Sequence, residues 1–182
     1  MTNTAQVSEA GTGNSVDAGN SAGTGDPAEG AAIRSPRVNF AKAAPKAFKA
    51  LIGFDAAARE GLDPTLVELV QIRSSQLNKC AYCLHMHTSD ARKAGESAER
   101  LHMVAVWEEA AHFFTAKERA ALALTEAVTL VAQGGVPDEV YEHAARHFEE
   151  AELARLLALI FTINTWNRIA ISTGKVPGTD ER

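Results

Sequence analysis

Residues 78–95 read "NKCAYCLHMHTSDARKAG", and this stretch decides how the whole chain is understood. It holds both cysteines of the protein, Cys80 and Cys83, with His85 and His87 close behind. Asn78-Lys79 interrupts the helical pattern before it, and Gly95 suits the left-handed residue just beyond a helix end. The spacing therefore predicts a helix from about Ala81 to Lys93. At about 100° per residue, Cys80, Cys83 and His87 fall within roughly a 60° sector of it, whereas His85 points away. Cys80 would stand near the N-cap and Cys83 near the third position. Free backbone N–H groups and the positive end of the helix dipole favour a thiolate there.

Outward from this stretch, every strongly patterned segment from Pro36 onward has helical period and none alternates as a strand would. The expected fold class is all-α, a compact multi-helix domain with the CxxC at the start of a central helix. Pro45–Arg59 predicts a first helix with Phe48, Leu51, Ile52 and Asp55 along one side, ended by Gly61. Asp63 caps and Pro64 opens the next, which runs to about Leu77. Leu66, Leu69, Val70 and Leu77 form its core stripe, and Glu68, Ile72 and Ser75 share another face. Ser97 to about Glu109 follows. Thr115 with Glu118 is a capping box that starts a helix reaching Gly134-Gly135, and Pro137-Asp138-Glu139 opens another. The last, about Ala151–Thr173, is apolar on nearly every side, so it is either central in the fold or shared with another subunit. Its Trp166, Asn167 and Arg168 mark either buried polar groups with partners or the polar edge of the helix. Arg155 and Arg168 lie too close together to bracket a membrane span.

The chain has 182 residues, 46% of them hydrophobic, enough for one domain with its own core and no need of a disulfide or zinc staple. Its net charge is −5, but Glu9, Asp17, Asp26 and Glu29 in the first 32 residues face no Lys or Arg, leaving the remainder near neutral. No basic field argues for nucleic acid or an anionic membrane. Residues 1–35, rich in Gly, Ala, Ser and Thr, read as a disordered low-complexity tail, and 36–182 as the domain. The tail resembles neither a secretory signal nor a mitochondrial presequence, so the cytoplasm is the expected location. In that compartment a CxxC is redox-active or metal-binding more often than structural.

Three readings of the cysteines compete. They can be buried small hydrophobes beside an incidental histidine. With His143 and His147 they can form a zinc site, although 59 residues separate the two pairs, far more than the roughly 12–15 of a small zinc module. They can also form a redox centre: a thiolate attacks a peroxide O–O bond, and a neighbouring thiol captures the sulfenic acid. His87 is placed to move a proton at neutral pH. Glu68, on the preceding helix, completes a relay if the two helices pack as a hairpin. Structural or surface roles are expected for His85, His102 and His112, and Tyr82 either packs or lines the pocket.

The pattern Glu68…Cys80-Ala81-Tyr82-Cys83…His87…Gly95 resembles the alkylhydroperoxidase core of the carboxymuconolactone decarboxylase-like superfamily, the group that contains the bacterial AhpD peroxidases. "FFTAKERAALALTEAVTL" and "TINTWNR" resemble flanking segments of its peroxidase-related members, so the likeness spans about Val38–Val176. It implies that Cys83 is the peroxidatic thiolate, Cys80 the resolving thiol and proton donor, and His87 with Glu68 the relay. It also implies a thiol-dependent peroxidase with a hydroperoxide substrate, an external dithiol or lipoyl-type reductant, no metal or other cofactor, and a homo-oligomer, trimer or hexamer. A well-known member has a second histidine between its cysteines where this chain has Tyr82. The alternatives are a decarboxylase-type enzyme of the same superfamily, with His87 as acid/base, and a non-catalytic CxxC redox sensor.

Overall fold

The placement of the CxxC follows from the helix that precedes it. In a computed structural model, which describes residues 37–179, every regular element among the described residues is helical. The expected tail, residues 1–35, lies outside the described residues, apart from which the order is α1 (Phe40–Ala43), α2 (Pro45–Arg59), α3 (Pro64–Leu77), α4 (Ala81–Lys93), α5 (Ala98–Met103), α6 (Ala116–Thr129), α7 (Val131–Gly134), α8 (Asp138–Ala145) and α9 (Glu150–Thr173). The sequence signals act as read. The Asp63 carboxylate accepts from the Leu66 N–H at 3.0 Å. Thr115 and Glu118 satisfy each other's backbone N–H in a complete capping box. Gly95, at φ +103°, closes α4.

Helix α3 is the hub, packed against α4, α6 and α9, while α2 lies along α9. Its apolar residues divide between two cores. Leu66, Val67 and Val70 meet Leu124 of α6 and Leu156 and Ile160 of α9. Leu69 and Ile72 meet Ala91 of α4, Leu101 and Trp107. Each fully buried Leu or Ile contributes about 1.5–3 kcal/mol relative to an exposed one, so α3 is fixed from both sides. That is why its polar residues, Glu68, Ser74 and Ser75, have defined positions.

Two expected helices are shorter than their patterns suggest. The helix expected to reach Glu109 ends at Met103 and continues as a 3-10 turn over Val104–Val106. This turn presents the Ala105 carbonyl to the Arg73 guanidinium, 3.2 Å away, and lets the Trp107 indole donate to Glu126 at 2.6 Å. A continuing α-helix would have kept that carbonyl in its own ladder. Similarly α6 stops at Thr129, and α7 follows as a separate turn. Thr129 faces α9 there, accepting from the Asn164 amide at 3.0 Å. Short α1 is an element the sequence pattern does not announce; Asn39 caps it.

At the α3–α4 turn, Lys79 adopts φ +56°, the one non-glycine in the left-handed region among the described residues. An L-residue there carries strain of about 1–2 kcal/mol. Lys79→Gly relieves it while adding backbone entropy to the unfolded chain. The net expected gain is about 0.5–1 kcal/mol in chemical denaturation, and an unchanged or lower stability would show that the lysine side chain contributes more than the strain costs.

Candidate active site

The α3–α4 turn brings the cysteines to a helix start. The Cys80 N–H returns to the Ser75 carbonyl at 2.9 Å. Cys80 is the N-cap of α4, and its sulfur accepts from the Cys83 N–H at 3.4 Å. The two sulfurs stand 2.8 Å apart, both thiols free and each residue only 2% exposed. They pack with Ile163 and Ala170 of α9 beneath Tyr82 and Trp166.

This arrangement divides the charge unequally. Once Cys80 ionises, the Cys83 thiol is the donor across the sulfur contact, and that bond, with the Cys83 backbone N–H and the Asn167 amide, outweighs burial and lowers the Cys80 pKa to about 7. Cys83 is pushed up, first because it donates that hydrogen bond, then by burial and by the neighbouring Cys80 charge. Asn167 and the Lys175 ammonium act against this rise. Cys80 is thus the first of the pair to ionise, about half of it being thiolate near pH 7. Access runs the other way: of the two cysteines, Cys83 lines the adjoining cavity.

That cavity, of about 280 Å³, lies between α2, α4, α9 and the segment after α9. Its wall is largely apolar: Phe48, Ile52, Met86, Trp166 and Ile169. Phe48 and Trp166 meet edge to face at 5.4 Å, a favourable geometry for aromatic rings. His87 shares the wall with Cys83. Its Nδ1 is 3.0 Å from Glu68 Oε2, so the α3–α4 hairpin forms the expected carboxylate–imidazole pair. No hydrogen bond joins His87 to either sulfur among the described residues; the cavity connects them.

Residues beyond the four expected ones complete the site. Arg59 of α2 lies 3.8 Å from Glu68 and holds Asp55 at 2.6 Å, giving a chain of charged and polar contacts Asp55–Arg59–Glu68–His87. The i,i+4 spacing of Asp55 and Arg59 was a legible signal of their pairing, but not of their destination. Lys175 follows the left-handed Gly174 that ends α9, its N–H bonded to the Ala170 carbonyl. This places its ammonium 3.1 Å from the Tyr82 hydroxyl and 4.6 Å from the ring centre. Tyr82 therefore lines the cavity with Lys175. Of the Trp166-Asn167-Arg168 trio, Asn167 is wholly buried and partnered, while Arg168 is the exposed edge.

The remaining histidines lie elsewhere. His85 is exposed beside Gly178. His143 and His147 meet edge to face with ring centres 5.1 Å apart, with Arg146 against His143 Nδ1. Among the described residues no three of His, Cys, Asp or Glu gather as metal ligands would, so these histidines do not join the cysteines. No helix among the described residues is long and apolar enough to cross a membrane.

Comparison with known proteins places this geometry in context. Residues 44–127 match the carboxymuconolactone decarboxylase family. YdfG of Bacillus subtilis (strain 168) is 40% identical over 141 residues, which is 77% of this chain and 95% of that protein. The crystal structure of a protein of unknown function from Agrobacterium tumefaciens, provisionally described as the antioxidant defence protein AhpD, shares 35% identity at a TM-score of 0.76, over 80% of this chain and 100% of that one. The debrominase Bmp8, in complex with 2,3,4-tribromopyrrole, shares 17% identity at a TM-score of 0.65, over 76% of this chain and 74% of its own. That likeness is one of fold alone.

Proposed function

The chain belongs to the carboxymuconolactone decarboxylase family, as an AhpD-like member, and from that premise we propose that it is a thiol-dependent peroxidase reducing organic hydroperoxides. One observation carries the reading: Cys83 opens onto an apolar cavity while touching a second thiol that can take its proton and later close a disulfide. The apolar wall favours an organic hydroperoxide over hydrogen peroxide, because it gains from burying a hydrocarbon group.

In the proposed cycle the Cys83 proton passes to Cys80, and the Cys83 thiolate attacks the hydroperoxide O–O bond. Cys83 becomes a sulfenic acid, and the departing alkoxide takes a proton to leave as alcohol. Cys80, as thiolate, then attacks the Cys83 sulfur, forming the disulfide and releasing hydroxide, which is protonated to water. His87, held by Glu68, supplies the second proton across the cavity. An external dithiol, such as a lipoyl group, returns two electrons and two protons to the disulfide. The two sulfurs carry both electrons.

The test is dithiothreitol- or dihydrolipoamide-dependent consumption of an organic hydroperoxide by the full chain, set against Cys83→Ser. Sustained turnover that needs Cys83 supports the reading, and a wild-type protein that leaves hydroperoxide untouched ends it.

We also propose that the chain assembles with copies of itself, as a trimer or hexamer. Phe161 and Ile171 on the core helix α9 remain 49% and 46% exposed, and Ile52 and Phe54 of the neighbouring α2 are exposed as well. Light scattering is expected to give three or six times the chain mass, and a monomer at micromolar concentration would refute this.

A further inference from the structure

Asn167 sits in the middle of α9 with no exposed surface, against the turn that carries the cysteines. A buried carboxamide needs partners for two hydrogens and an oxygen, and here the network fixes which end faces which neighbour. Asn78 Nδ2 is oriented by the Ser74 carbonyl at 3.0 Å, and it also meets Asn167 Oδ1 at 2.9 Å. The Ser75 hydroxyl gives its hydrogen to the Gln71 carbonyl at 2.7 Å, so its oxygen accepts from Asn167 Nδ2 at 3.1 Å. One Asn167 hydrogen is thereby committed. Ile163 and Ala170, one turn before and after Asn167 on the same face of α9, pack with both cysteines, so the second hydrogen is left facing the sulfurs, and the amide acts to lower the pKa of each.

We propose that Asn167 is a catalytic residue of the thiol centre, its carboxamide a fixed donor that holds the negative charge as it passes from Cys80 to Cys83. When the proton moves from Cys83 Sγ to Cys80 Sγ, the charge moves the opposite way over one sulfur–sulfur contact. An N–H aimed at both sulfurs stabilises the charge at either end, and no heavy atom has to move. Donors already oriented at a site where charge develops need no reorganisation when it arrives. Asn78 and Ser75 are the positioning residues that keep the amide from turning its oxygen to the thiolate.

The inference rests on the reading of Cys80 and Cys83 as a thiol redox pair, but its test uses no peroxide. Ultraviolet thiolate absorbance of the reduced full chain, followed against pH, should rise in wild type with a midpoint near the Cys80 value of about 7. In Asn167→Leu, similar in size but without a donor, that midpoint should rise by about one pH unit, a roughly fivefold loss of thiolate at neutral pH. Asn164→Leu disturbs the same network, since Asn164 also accepts from Asn78, yet should leave the midpoint within about 0.3 units of wild type. Equal shifts in both variants, or none in a folded Asn167→Leu, would reduce Asn167 to a structural tie. Should the leucine variant not fold, the wild-type Asn167 side-chain amide signal in an isotope-edited spectrum decides the question: it should shift with the thiolate midpoint, and a signal indifferent to that titration overturns the proposal. A protein that titrates as expected yet ignores hydroperoxide would end the peroxidase reading and leave this one standing.

Discussion

Cys83→Ser lowers dithiol-dependent consumption of an organic hydroperoxide by at least about 10³-fold, the scale of loss expected when a nucleophile is removed. Cys80→Ser loses steady-state turnover just as completely, for a different reason. Serine can still cap α4 through its oxygen. The strongest influence raising the Cys83 pKa is its bond to Cys80, so Cys83 without that neighbour ionises more readily. The Cys80→Ser protein should therefore reduce about one equivalent of hydroperoxide and stop at a sulfenic acid on Cys83, visible by mass spectrometry after trapping. This asymmetry matters because two properties of the pair conflict: Cys80 is the first to ionise, whereas the cavity reaches Cys83. Access decides which sulfur attacks, since a proton crosses between touching sulfurs more easily than a peroxide enters a filled core. If Cys83→Ser kept the single-equivalent reaction and Cys80→Ser lost it, the roles would be reversed.

Glu68→Gln lowers kcat/KM for hydroperoxide by about 10- to 100-fold, and His87→Gln by about 10²-fold or more. The first substitution keeps the shape of the side chain but removes the charge that stabilises a protonated imidazole. The imidazole is then held less firmly in the tautomer and orientation that pass a proton across the cavity. Arg59→Met should cost only a few-fold, because its 3.8 Å contact with Glu68 is made by a side chain 35% exposed, and exposed ion pairs are weak. A Glu68→Gln enzyme with wild-type rate would remove the relay from the mechanism.

Much of the site was legible in the sequence because it depends on local rules. The Asn78-Lys79 break and Gly95 bound α4 as read, and the register of Cys80, Cys83 and His87 follows from helix geometry alone. Glu68 required one tertiary assumption, that α3 and α4 fold back as a hairpin, and the 3.0 Å bond to His87 bears it out. The residues that escaped depend on packing between distant segments. Arg59 reaches Glu68 across the turn between α2 and α3 while α2 packs along α9, and Asn167 meets Asn78 and Ser75 at 89 and 92 positions' separation. No local pattern carries such information. The Ser97 helix was overextended for a related reason: the Arg73 guanidinium takes the Ala105 carbonyl, a long-range contact that overrides helical periodicity. The end of the cavity formed by Phe48, Ile52 and Lys175 joins two segments far apart in the sequence and was likewise invisible.

The measurement that bears most directly on the account is the fate of the two thiols after one equivalent of an organic hydroperoxide is added to the reduced full chain without reductant. Mass spectrometry of the proteolysed, alkylated product is predicted to show Cys80 and Cys83 joined in an intramolecular disulfide, with one equivalent of alcohol formed. Recovery of both cysteines as alkylated thiols, with the hydroperoxide intact, would contradict it.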